Sequence, residues 1–469
     1  DYIVVNRQPT LHRPSIMGHR VKVHRHKTLR LSEAVMGPYN ADCDGDEMNG
    51  HVPQTPEARA EVRELMRVQN HIIHPRANKP VMGLIQDGLD AGYFLTRDSQ
   101  FFTRAQAMNL LMAVHYDRDA PPELPLGSEA ALWRTRKLPP PARTEPEPLW
   151  SGKQLVSLVI PRISLEMKLK NRPPGDTDTV LRIVNGELVS GTLCKQSLGA
   201  SNGGIIHQVC TYCGNEMAAR FISDVKRLLH RYMLTVGFSI GIGDCTTDPK
   251  VQAKVDTVLT AAERHVERIK AIAAEMPDDP TVQELCEDQI GDTLKSLLHM
   301  VGNVVRVHLG DDNAFNVMAH IVGSKGSVFN MSQTMAAVGQ TFVNGTRPDA
   351  MGGLRILPSA PLPGQPPLST SEEMRMAGFI RRPYKAGLSM ADAFLHNMGG
   401  REGLVDTAAK TSRTGYLQRR IVKAMESHHI AHDGSVRDAY QKQYQRWFGH
   451  DGLDPMRTIR VTLNSLMLS

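Results

Sequence analysis

Two proline clusters constrain this chain more than any other feature: eight prolines lie between Pro121 and Pro148, and five more between residues 358 and 367. Each proline fixes φ near −65° and removes a backbone donor, so no helix or central strand runs through either stretch. The 469 residues are thereby cut into segments that must bury apolar surface separately, and about two to four domains are expected. Residues 119–149 read as a linker or a long surface loop between domains. With 41% apolar and 22% charged residues the composition is that of a globular protein. No run reaches the roughly 18 apolar residues that span a bilayer, so no membrane partner is expected. Six cysteines, at 43, 194, 210, 213, 245 and 286, follow no secretory segment and read as free thiols. Lys plus Arg exceed Asp plus Glu by six, a mildly basic balance compatible with a polyanion partner.

Residues 1–53 alternate short apolar runs with turns, the pattern of a compact β-rich unit. One expected strand covers Val21 to His24, with Arg20, Lys22 and His24 facing outward as a phosphate-holding or merely solvated face. Thr55-Pro56 opens a helix carrying Ala58, Val62, Leu65 and Met66, and Asn185-Gly186 marks a turn between strands within 179–189. Asp248-Pro249 starts another helix, with Val255, Val258, Leu259, Ala262, Val266 and Ile269 on one face. Cys210 and Cys213, with His207 nearby, form a lone Cys-x-x-Cys without a second pair, so zinc is not expected. Gly237 to Gly243 reads as a tight turn. Ser389 and Asp392 form a capping-box start, and Met390, Phe394, Met398, Val405, Ala409 and Tyr416 follow at helical intervals. A helix continuing to Glu426 would span about 57 Å at 1.5 Å per residue. Gly399, Gly400, Gly403 and Gly415 either break it or are kept where something approaches its backbone. Its excess of Arg and Lys favours a nucleic-acid neighbour.

The densest chemistry lies in Asn40 to Asn49, where Asp42, Asp44 and Asp46 are followed at once by Glu47. Carboxylates so close repel one another unless a cation sits among them, and all-oxygen ligands favour a hard ion such as magnesium. A solvated acidic turn is the alternative. An EF-hand loop fails on register, with Glu47 where glycine is required and Pro53 where glutamate is required.

NADCDGDEMN at 40–49 and NRQPTLHRPSIMGHRV at 6–21 closely resemble the catalytic core of the largest (β′-like) subunit of multisubunit DNA-directed RNA polymerases. The likeness continues through LWSGKQ at 149–154, SNGGIIH at 201–207, GFSIGIGD at 237–244, GSKGS at 323–327, GREGL at 400–404 and TGYLQRR at 414–420. Its phrasing is nearest the eukaryotic nuclear, archaeal and large-DNA-virus branch. The resemblance implies an α+β multidomain fold with part of a double-psi β-barrel, pore and funnel domains and a long bridge helix. Its expected divisions are an active-site barrel region at 1–90, a pore region with linker at 91–150, pore and funnel at 151–330, a connector at 331–388, the bridge helix at 389–430 and the start of a cleft or foot region at 431–469.

By the same resemblance, Asp42, Asp44 and Asp46 hold a permanent Mg2+, a second Mg2+ arrives with the NTP, and Arg7 and Asn40 recognise the ribose. Lys410, Thr411, Ser412, Tyr416 and Arg419 would contact nucleic acid. The implied activity is DNA-directed RNA synthesis by nucleotidyl transfer to the RNA 3′ end. Implied partners are the second-largest subunit and further polymerase subunits, a chain or segment carrying clamp and trigger loop, template DNA, RNA and NTPs. The implied location is the nucleus, or the cytoplasm for an archaeal or viral relative. Cys43 stands where the family motif usually has phenylalanine, which implies altered packing rather than lost metal; Arg413 stands where relatives often carry Glu or Asn. Clamp and trigger loop are not in this sequence, so a fragment or split subunit is expected. Two other functions are a non-catalytic nucleic-acid-binding scaffold, inactive without partner chains, and a stand-alone magnesium phosphohydrolase, which leaves the long helix without a purpose.

Overall fold

A computed structural model describes residues 2–115, 138–171, 178–348, 369–456 and 458. Residues 121–137 of the first proline cluster, and the whole of the second, lie outside the described residues. Helices and small antiparallel sheets are mixed along the chain, an α+β composition. The chain divides into two units, one of residues 1–238 with 321–324 and 451–469, the other of 239–320 with 325–450.

In the first unit, β1 (Tyr2–Asn6) is the central strand of a three-stranded antiparallel sheet, flanked by β2 (Ile16–Arg20) and β3 (Asn49–His51). Val5 lies opposite Met17 on one side and Gly50 on the other. Val4, Val5 and Met17 are buried. Gly18 of β2 permits a close approach, because a Cβ there would stand 2.7 Å from Val62 Cγ1.

The strand expected over residues 21–24 does not form. The β1–β2 pairing ends at Tyr2 opposite Arg20, and residues 21–32 run on as an irregular loop in which Val23 is 89% exposed. Alternation of apolar and polar residues supplies a strand's side-chain pattern but not a neighbouring backbone to bond.

The α1 helix (Met36–Tyr39) precedes the aspartates, and α2 (Pro56–Glu61) begins at Thr55, whose hydroxyl accepts from the Ala58 N–H at 3.1 Å. Next come α3 (Asp87–Thr96), α4 (Arg104–His115) and α5 (Ile205–Val236), the last kinked at Gly214, where φ is 83°. Phe101–Phe102 pair with Trp150–Ser151, and Trp150 Nε1 donates to the Pro139 carbonyl at 2.8 Å, so the described end of the first proline cluster folds back onto the first unit. The hairpin Val180–Val184 with Glu187–Ser190 turns at Asn185 and Gly186, both at positive φ, as that dipeptide leads one to expect. On α3, buried Asp90 accepts from Ser324 Oγ at 2.7 and 2.9 Å.

In the second unit, α6 (Pro249–Glu275) and α7 (Pro280–His308) pack together. The Asp248 carboxylate caps α6 by accepting from the Lys250 N–H at 2.8 Å. Val255, Leu259, Val266 and Ile269 meet Ile290, Leu294, Leu297 and Val301 in one core. The longest helix, α8 (Met390–Met425), has 36 residues, about 54 Å at 1.5 Å each. Ser389 and Asp392 form its capping box.

The α8 glycines do not break it. A Cβ on Gly399 would stand 2.6 Å from Thr341 Cγ2, so this glycine accommodates a close neighbour, whereas Gly400, Gly403 and Gly415 face open space. The apolar residues at helical intervals do lie on one continuous helix, but the helix leaves Met390 92% and Phe394 52% exposed and buries Asp392 and Leu395. A three-stranded sheet of His429–Ile430, Val436–Arg437 and Gln443–Gln445 follows.

Candidate functional site

The aspartate loop starts from a backbone device. Asn40 caps α1 at φ 47° and ψ 40°, the left-handed conformation that asparagine tolerates better than most residues. The chain then turns through Gly45, at φ 117°, and re-enters the sheet at Asn49, opposite Asn6. Because Arg7 directly follows Asn6, this register sets its guanidinium beside the loop. Arg7 Nε donates to Asp46 Oδ2 at 2.6 Å, and the Asp42 N–H donates to the same oxygen at 3.0 Å. Together, the Asp42 N–H first and Arg7 second, these donors hold the Asp46 carboxyl below the usual carboxylate range. The Cys43 N–H donates to Asp42 Oδ1 at 2.8 Å, and Asp42, Cys43 and Asp44 are exposed.

Beneath the loop sits Tyr39, only 2% exposed. Its hydroxyl donates to the Val5 carbonyl at 3.2 Å and lies 2.7 Å from His19 Nε2. Burial pushes His19 down to about 4, so its ring is neutral at pH 7, and burial raises the Tyr39 phenol. With the phenolic proton on Val5 O, the His19 Nε2–H donates to the phenol oxygen. One buried hydroxyl thus ties α1 to β1 and β2 directly ahead of Asn40. His12 Nε2 adds a bond to the Pro38 carbonyl at 2.8 Å. Sequence reasoning missed this anchor: His19 opens a basic run that reads as surface, and the available signal was Tyr39, a bulky aromatic just ahead of a polar motif.

As a donor set, three carboxylates on one turn fit a hard divalent cation. The side chains do not converge as a ready-made cage, because Asp46 is engaged by Arg7 and the Asp42 N–H. Among the described residues no group of three His, Cys, Asp or Glu side chains stands together as a metal centre.

Of the five residues expected to contact nucleic acid, α8 groups three. At about 100° per residue, Ser412, Tyr416 and Arg419 share one side of the helix. Lys410 points the opposite way, paired with Asp406 one turn earlier, and the Thr411 hydroxyl is turned onto the Thr407 carbonyl at 2.6 Å. Tyr416 is 65% exposed, with Arg420 Cζ 5.4 Å from its ring centroid. The aspartate loop belongs to the first unit and α8 to the second.

The other motifs have structural roles. Cys210 is buried on α5 and its thiol is pushed up to about 12 by desolvation. His207 Nδ1 accepts from the Gly203 N–H at 3.1 Å. Gly237 ends α5, and Asp244 accepts from the Gly241 N–H at 2.8 Å and the Ala314 N–H at 3.2 Å, giving the expected turn. No described helix is long and apolar enough to cross a membrane.

Comparison with known proteins finds four family profiles in chain order: RNA polymerase Rpb1 domain 2 at residues 1–68, domain 3 at 71–245, domain 4 at 267–380 and domain 5 at 387–461. Similar relatives include the DNA-directed RNA polymerase II subunits RPB1-B and RPB1-A of Trypanosoma brucei brucei. Each is 37% identical over 462 residues, covering 97% of this chain and 25% of the relative. The chain therefore spans about a quarter of the length of these curated relatives.

Proposed function

The chain belongs to the family of RNA polymerase largest subunits, and from that premise we propose that it supplies the catalytic carboxylates for DNA-directed RNA synthesis. The observation that carries this reading is the Arg7 to Asp46 ion pair, which draws a cation suited to a nucleotide's oxygens into the exposed carboxylate loop. Asn40, at the mouth of the same loop, joins Arg7 as the proposed ribose contact. Asp42, Asp44 and Asp46 are the proposed magnesium ligands. Held by these carboxylates, magnesium would supply the Lewis acidity that nucleotidyl transfer to the RNA 3′ end requires.

The chain's own contribution is placement. Tyr39 fixes where the loop begins, the β1–β3 register fixes where it ends, and Arg7 orients Asp46 between them. In this reading α8 is the bridge helix, with Ser412, Tyr416 and Arg419 toward the nucleic acid and Lys410 and Thr411 on its other sides. The proposed partners are the second-largest subunit, further polymerase subunits, template DNA, RNA and NTPs, with the nucleus as the place of action.

The decisive experiment is Asp44→Ala in an assembled enzyme. Assembly should persist while template-directed elongation is abolished; elongation at the wild-type rate would refute the assignment. The quarter-length coverage favours a second statement, that the chain alone is inactive. Primer extension by the isolated chain would refute that dependence.

A further inference from the structure

Near its C-terminal end, α5 borders a half-open cavity of about 330 Å³ lined by Glu33, Gln86, Asp87, His230, Met233 and Leu234. Small-molecule sites begin at about 300 Å³, so the space suffices for a ligand of a few heavy atoms. All six residues belong to the first unit. They come from the short turn Glu33–Val35 that leads into α1, from the start of α3 and from the last two turns of α5. The elements are in close contact there, since a Cβ on Gly88 would stand 3.6 Å from His230 Nε2.

The charges lining the cavity are not balanced. Glu33 is matched, its Oε2 lying 3.1 Å from Lys226 Nζ and 3.4 Å from His230 Nε2. Asp87 is exposed, and among the described residues no cation pairs with its carboxylate and no hydrogen bond reaches it. One turn on, burial first and the Asp87 charge with it raise the Asp90 carboxyl against the Ser324 hydroxyl bond. A first-turn acid suits the α3 dipole, which accounts for Asp87 but not for the apolar half of the cavity. That half is Met233 and Leu234, the latter 80% exposed. Gln86 precedes α3 at φ 45° and ψ −125°, a conformation that non-glycine residues seldom adopt.

We propose that this cavity is a binding site for an aliphatic ammonium, with the charge at Asp87 and the carbon stem against Met233 and Leu234. Other ligand classes fit less well. An anion would meet two carboxylates, Glu33 and Asp87, and no aromatic residue lines the space for a flat ring to stack on. A divalent metal needs several oxygen ligands, whereas one carboxylate is uncommitted and no group of three metal-binding side chains stands together among the described residues. A monovalent cation with an apolar stem matches one free charge beside two apolar side chains. The same chemistry comes from two sources, a free alkylamine or a lysine side chain carried on a polypeptide. Occupancy would tie the turn ahead of α1 to α3 and α5. The inference does not rest on the carboxylate chemistry proposed above, and its readout is binding rather than catalysis.

The test titrates the full chain near neutral pH, at constant ionic strength, with three probes followed by saturation-transfer NMR. Butylammonium is the free amine, Nα-acetyl-lysine methylamide carries the same group on a backbone, and n-butanol is the uncharged counterpart. A ligand of five heavy atoms should saturate with a dissociation constant of about 10 mM. Asp87→Asn should weaken butylammonium by about fivefold, the upper value for an exposed ion pair. Leu234→Ser should weaken it by about fourfold for a methylene no longer covered. Both side chains are exposed, so neither change threatens the fold. Asp278→Asn removes an equally exposed carboxylate between α6 and α7 and should leave binding unchanged. Binding of butylammonium alone assigns the site to a free amine, and binding of the lysine derivative as well opens it to a side chain; either supports the proposal. Equal affinity for n-butanol, an Asp87→Asn affinity equal to wild type, an equal loss in Asp278→Asn, or no saturable binding would each overturn it.

Discussion

Replacing Tyr39 with phenylalanine removes one oxygen atom from beneath the aspartate loop and keeps the ring that fills the core. The hydroxyl makes two contacts, one to the Val5 carbonyl at 3.2 Å and one to His19 Nε2 at 2.7 Å. Losing a net hydrogen bond costs about 1 kcal/mol, and leaving the imidazole nitrogen of His19, which is only partly buried, without its partner costs about 1 kcal/mol more, the low end for such a group. A local loss of about 2 kcal/mol is therefore expected, roughly 30-fold in the opening equilibrium at 1.4 kcal/mol per decade. Hydrogen exchange read by mass spectrometry is the suitable assay, because it resolves the two units where a single melting curve would not. Peptides covering residues 2–20 and 36–51 should exchange about 30-fold faster in Tyr39→Phe, while α6 keeps its wild-type protection. Protection of residues 2–20 within about twofold of wild type, or an equal acceleration in α6, would refute the view that this hydroxyl anchors the loop.

The α8 glycines give an opposed pair. Gly399→Ala forces a Cβ against Thr341 and should destabilise the second unit by about 1–2 kcal/mol, whereas Gly403→Ala, with open space around it, should stabilise by up to about 1 kcal/mol. Urea midpoints that move in the same direction for both would contradict the geometry. Asp90 is buried and its carboxyl is pushed up to about 6, so the native state holds its proton more tightly than the unfolded chain does, and that stabilising contribution is lost as pH rises through 6. Asp90→Asn should therefore exceed wild type in stability above pH 6, by up to about 3 kcal/mol, with the gap closing below about pH 4. A pH-independent difference in urea midpoint would count against it.

Local signals carried most of what could be read from the sequence. The Asn185-Gly186 turn, the Asp248 cap with its apolar face and the Ser389 to Asp392 capping box are each written in a few adjacent residues, and each appears where expected. What failed depended on partners distant in sequence. Val21 to His24 has a strand's alternation, yet among the described residues no strand pairs with it. The helical spacing from Met390 onward gave the helix itself, but not which side chains it buries, Asp392 and Leu395, with Asp392 held by Arg375 at 3.0 Å. The candidate site divides the same way. The aspartates and Arg7 are recognisable as a linear motif, whereas the Tyr39 and His19 anchor arises only when the sheet register brings residues 5, 19 and 39 together.

The left-handed backbone at Asn40 gives that position two separate reasons to remain asparagine. One is conformational, since most side chains at φ 47° are strained; the other is the proposed ribose contact made by its amide. A saturation scan would report both on one axis, and a loop displaced by Asn40→Val would look like a failure to choose between ribose and deoxyribose. Glycine and aspartate separate the two, because Asn40→Gly keeps the turn while deleting the amide and Asn40→Asp keeps turn and shape while exchanging a donor for a charge. Sugar selectivity at this locus is genetically legible only through those two substitutions, with the others scoring first as errors of chain reversal.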